Sequence, residues 1–135
     1  MKIITDWREL RTIATENPLY QTIFDFIFQA IEQPNEEHYI DHWMHSSLIV
    51  LDEQQDKHLL SNLNQTDFIH TFPDNYQHHI AYLLKYPEFT EILPPHHYLS
   101  LAIWEDYGSG IFLVFDKTFK TDNPILQRLV EESLK

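Results

Sequence analysis

A chain of 135 residues that is 43% hydrophobic and 14% aromatic can bury one self-supporting core, and this composition excludes a disordered polymer. Twenty-one acids against nine Lys and Arg give a net charge of −12 with His neutral, a field that repels nucleic acid and anionic lipid and attracts basic proteins. The absence of cysteine excludes disulfides, thiolate metal sites and cysteine nucleophiles, and two glycines, Gly108 and Gly110, are too few for a phosphate-cradling loop.

Asp6 reads as an N-cap with Glu9 three residues on, and Trp7, Leu10, Ile13 and Ala14 follow at helical spacing. This helix should end near Glu16, because Asn17-Pro18 disfavours its continuation and opens the next one. In that second helix Gln21, Asp25, Gln29 and Glu32 form one narrow polar stripe, and apolar residues from Leu19 to Ile31 fill the rest. So wide an apolar surface predicts a central core helix covered on more than one side. Pro34 breaks it, and Asn35 can cap a third helix reaching about His45.

Leu48–Leu51 then reads as a short buried strand. Asp67–Phe72 fits a strand or a loop, whereas Asp74 looks like the start of a helix in which Tyr76, Ile80, Leu83 and Leu84 share a face. Two β-rich runs follow, Tyr98–Asp106 and Ile111–Asp116, joined by a hairpin turn at Tyr107–Gly110. Asn123-Pro124 begins a closing amphipathic helix. The expectation is a single α+β domain over residues 1–135, its helices packed on a small, mostly antiparallel sheet with a C-terminal hairpin.

The segment PNEEHYIDHWMH, residues 34–45, holds three histidines and three acids. On a helix His38, Asp41, His42 and His45 share one side, with Tyr39, Ile40 and Trp43 largely opposite. The run HYIDH resembles the inverted zinc-protease signature H-x-x-E-H, with the shorter Asp41 in the place of the catalytic Glu. His38 and His45 lie roughly 10.5 Å apart along the axis, too far to join His42 on one ion; pairs of these histidines are the weak metal candidates, needing ligands from elsewhere. The plainer reading is a solvated face whose imidazoles sit among carboxylates, and no resident metal or other cofactor is expected.

Other chemistries fail on geometry. Glu105 and Asp106 are adjacent on a strand and point to opposite faces, so they cannot flank one glycosidic bond. Ser46 and Ser47 lack a nucleophile-elbow context. No enzyme activity is expected. The N-terminus, MKIITDWREL, carries charge where a secretory signal needs an unbroken apolar core, and no apolar run approaches the ~20 residues of a membrane span. A cytoplasmic protein without direct contact to membrane or nucleic acid follows as the expectation.

No Lys or Arg occurs between Arg11 and Lys57, while acids recur from Glu16 to Asp56. In this acid-only stretch, and in its lack of a reaction signature, the chain resembles the small acidic immunity proteins of bacterial contact-dependent growth inhibition and related polymorphic toxin systems. The resemblance implies a heterodimer with a cognate basic toxin domain, commonly a nuclease, whose cationic channel carboxylates would match. Glu36, Glu37, Asp41, Asp52, Glu53 and Asp56 are the candidate interface acids, with Tyr39 and Trp43 as aromatic anchors. Two alternatives remain at this point: an acidic nucleic-acid mimic that inhibits a phage-defence nuclease, and a metal-binding protein built on His38, His42 and His45.

Overall fold

The computed structural model describes residues 1–29, 31–43, 46–51, 56, 65–85, 90–93, 98–106, 109–116, 124, 127, 128 and 131. In chain order these form β1 (Lys2–Ile4), α1 (Trp7–Ala14), α2 (Pro18–Ile27), α3 (Glu36–Trp43), β2 (Ser47–Leu51), α4 (Gln65–His70), α5 (Asp74–Lys85), β3 (Thr90–Leu93), β4 (Tyr98–Asp106) and β5 (Ser109–Asp116). The α+β class is as expected.

The strands make one five-stranded sheet in the order β1-β2-β5-β4-β3. Three pairings are antiparallel, and β2 runs parallel to β5, with Ser47 opposite Ile111 and Leu51 opposite Phe115. That parallel pair explains the sequence of β2. A strand covered on both faces needs no polar alternation, and all five residues of SLIVL are buried. Leu48 and Val50 enter one apolar cluster with Phe112 and Val114; Ile49 and Leu51 enter the other with Ile111, Leu113 and Phe115. The pleat thus divides β2 and β5 between two cores.

Each core has its own helical cover. On one face α1 and α2 bring Trp7, Leu10, Ala14, Tyr20, Ile23 and Ile27, and α3 adds Trp43. On the other, α4 and α5 bring Phe68, Phe72, Tyr76, Ile80 and Leu84. The Tyr76 hydroxyl lies 3.1 Å from Ser47 Oγ inside this second cluster, so a polar group at the start of β2 is satisfied where water is absent.

Helix starts follow the capping chemistry. Asp6 accepts from the Arg8 amide at 2.8 Å, Asn17 from the Leu19 amide at 3.0 Å with Pro18 in the first turn, and Asn35 from the His38 amide at 3.0 Å. Residues 124, 127, 128 and 131 are helical, and Arg128 Nη2 donates to the Leu84 carbonyl at 3.3 Å, near the C-terminus of α5.

Several expectations are corrected. The α2 helix stops at Ile27 rather than at Pro34, and it is not central: Phe24 and Phe26 are half-buried, and the innermost elements are β2 and β5. Its polar stripe is placed as expected, with Gln21, Asp25, Gln29 and Glu32 exposed. The run at Asp67–Phe72 forms most of a helix, because Phe68 and Phe72 at helical spacing meet edge to face, 5.2 Å apart, in the second core. Strands β1 and β3 were not anticipated. The β-rich run at residue 111 begins at Ser109; Tyr107 and Gly108 of the expected turn lie outside the described residues, as does most of the closing helix.

Candidate functional site

The third helix is held to the body of the protein by two aromatic residues. Of Glu36-Glu37-His38-Tyr39-Ile40-Asp41, only Tyr39 is even half-buried, and Trp43, four residues after it, is fully enclosed. These two i,i+4 aromatics form the root of the helix. Tyr39 meets Trp7 at 4.9 Å, Phe24 at 5.4 Å and Phe28 at 5.0 Å between ring centres. Trp43 packs on Phe28 and stacks on Phe112 at 6.4 Å, and its indole N–H donates to the Thr5 carbonyl at 2.9 Å. An aromatic seam therefore runs from α1 through α3 to β5.

What faces outward is the remainder of the helix. Glu36, Glu37, His38, Ile40 and Asp41 are all exposed. The expectation puts Ile40 on the inner side with Tyr39 and Trp43; instead it is 43% exposed, one of two large hydrophobic residues that stand out among the described residues. It puts an apolar patch between carboxylates.

The charge around this patch is one-sided. Every Asp and Glu from Asp6 to Asp41 is exposed, and this segment builds the helical cover of one sheet face. Lys2 of β1 lies 3.6 Å from Glu9, and Arg8, one of the segment's two bases, lies 2.9 Å from Glu36. Arg8 and Arg11 also rest 5.4 and 5.2 Å from the centre of the Trp7 ring. Arg8 and Arg11 thus sit where α1 meets the start of α3, while Glu16, Asp25, Glu32, Glu37 and Asp41 have no described Lys or Arg within salt-bridge reach.

The structure separates the candidate residues into three groups. Glu36, Glu37 and Asp41 lie together on the exposed side of α3. Asp52, Glu53 and His45 lie outside the described residues, as does the side chain of His42. Asp56 and Trp43 are corrections. Asp56 is 1% exposed and accepts from the α-ammonium of Met1 at 2.7 Å, which makes it an internal counter-ion rather than a surface acid. Trp43 is 2% exposed and belongs to the core, and Tyr39 is half-buried in the seam. Sequence reasoning missed Ile40, whose signal was its place beside Asp41 on a helix with few other apolar residues.

His38 Nδ1 lies 2.9 Å from the Gln33 carbonyl, which ties the imidazole to the turn preceding its own helix. Among the described residues no three His, Asp or Glu side chains converge so as to hold a metal ion, and no helix is long and apolar enough to cross a membrane. Comparison with protein-family models, with curated proteins and with solved structures found no match.

Proposed function

We propose that this chain is an immunity protein, a non-catalytic inhibitor that binds and neutralises a basic toxin domain, of nuclease type, in the bacterial cytoplasm. The docking surface is the outer face of the α1–α2–α3 layer, centred on Glu36, Glu37, Ile40 and Asp41. The observation that carries this reading is the charge of that layer: between Asp6 and Asp41 eight exposed acids face two bases, Arg8 and Arg11, both of which rest against the Trp7 ring.

The physics of such a surface is specific. Clustered carboxylates steer a cationic partner during diffusion and disfavour neutral or acidic competitors. An apolar residue among them supplies area that loses water on contact, which charge alone does not. A nuclease keeps a cationic channel for phosphates, and carboxylates projecting from a rigid helix present the same charge in the same place.

The test is co-expression with the protein encoded immediately upstream, followed by affinity measurement at low and high salt. A stoichiometric heterodimer is expected, weakening as salt rises. Reversing Glu37 and Asp41 together to Lys should slow association by on the order of tenfold. Absence of any complex at low salt overturns the reading.

A further inference from the structure

A second feature lies along the outer side of α2. A surface cavity of about 300 Å³ is lined, among the described residues, by Thr22, Asp25, Phe26 and Gln29. Thr22, Asp25 and Phe26, spaced i, i+3 and i+4, share one side of α2, and Gln29 follows in the turn after its last residue. We infer that this groove receives an arginine side chain of the docked partner, its guanidinium on the Asp25 carboxylate and its plane against the Phe26 ring. The inference rests on the docking reading and names the chemistry of one contact within it.

The lining selects for that chemistry. Gln21 Nε2 donates to Asp25 Oδ1 at 2.8 Å, which fixes the carboxylate at the groove. No described Lys or Arg pairs with Asp25. Thr22 is turned away from a ligand, since its hydroxyl donates to the Pro18 carbonyl at 3.0 Å. Phe26 is half-buried, and so gives a held aromatic wall rather than a mobile one.

A carboxylate beside an aromatic face suits a planar cation best. A guanidinium can bridge both carboxylate oxygens and stack on a ring, whereas an ammonium is a strongly hydrated point charge that gains less from the ring. An anionic ligand is repelled by Asp25. At the lower end of the ~300–1,000 Å³ usual for small-molecule sites, the volume fits one side chain better than a nucleotide.

The test begins without the partner. Amide resonances of the isotope-labelled chain are followed while N-acetyl-arginine amide or N-acetyl-lysine amide is added. Saturable shifts are expected at Asp25, Phe26 and Gln29, stronger with the arginine compound and lost in Asp25→Asn. Phe26→Leu, which keeps an apolar wall and removes the ring, should erase the preference for arginine over lysine. Equal response to both compounds, or shifts spread evenly over Glu36, Glu37 and Asp41, overturns the inference, as does an undiminished response in Asp25→Asn.

The second arm uses the co-expressed neighbour. Asp25→Asn should weaken the heterodimer by about tenfold, the scale of one bidentate ionic contact. If reversal of Glu37 and Asp41 weakens the complex and Asp25→Asn does not, the groove falls and the docking face stands. If no complex forms, the docking face falls, and the arginine titration alone decides what the groove binds.

Discussion

Replacing Asp56 with Asn tests a buried charge. The amide keeps the shape of the carboxyl and an acceptor oxygen, and removes only the charge facing the Met1 α-ammonium. The Asp56 side chain is 1% exposed and that of Met1 15%, and the carboxylate lies 2.7 Å from the ammonium. Taking away one member of a buried ion pair costs about 3–5 kcal/mol, because the other charge stays desolvated. The bond as a whole is only part-buried, so a loss of about 2–4 kcal/mol is expected. That is a large share of the ~5–15 kcal/mol typical of a whole domain, and it corresponds to a fall in Tm of roughly 6–12 °C. Urea unfolding followed by tryptophan fluorescence reads it directly, with the slope m unchanged if only stability moves. Asp41→Asn, at an exposed position, is the control and should stay within about 0.5 kcal/mol. The loss should persist in 1 M salt, which screens surface pairs far more than buried ones. A loss below about 0.5 kcal/mol, or one abolished by salt, would falsify the assignment of Asp56 as an internal counter-ion.

The Arg8–Glu36 bridge is the contrasting case, since its side chains are 58% and 63% exposed. A double-mutant cycle to Ala should give a coupling below about 1 kcal/mol, and a value above about 2 kcal/mol contradicts a solvent-screened pair. Trp43→Phe deletes the N–H bonded to the Thr5 carbonyl and part of a buried ring system; thermal and urea unfolding should show a loss of about 1–3 kcal/mol. The same variant should bind the neighbour protein unchanged at a temperature where it is folded, and a specific loss of binding places Trp43 at the interface after all. Asn35→Ala removes the side-chain cap of α3 and should cost about 1 kcal/mol, with hydrogen exchange rising first in the amides of residues 36–39.

Local chemistry made the helix starts legible. Asp6, Asn17-Pro18 and Asn35 each announce themselves within four residues, because a cap satisfies amides that are close in sequence. Strand β4 was equally plain, and the continuous SLIVL run gave β2 its double burial. What escaped depends on distant partners. The three residues of β1 are too few to show periodicity, and they count as a strand only because Ile3 finds Ile49 and Ile4 finds Leu48. Strand β3 sits between prolines and is defined by its register with β4.

The same limit governs the site. Glu36, Glu37 and Asp41 could be read as surface acids from their helix alone. Asp56 could not, since its environment depends on an amino group 55 positions away. Trp43 looked like an anchor because nothing local reveals that Phe28 and Phe112 enclose it. The same helical period that marks Tyr39 and Trp43 as a pair leaves Ile40 outside it.

The parallel pairing of Ser47–Leu51 with Ile111–Phe115 has a consequence for biosynthesis. The strand shared by both hydrophobic layers finds that neighbour only after residues 109–116 have left the ribosome. Until then the nascent chain holds several short helices with nowhere to seat them, and closing so long a loop slows folding. Chaperone dependence and aggregation of stalled chains should therefore be governed by the late hairpin.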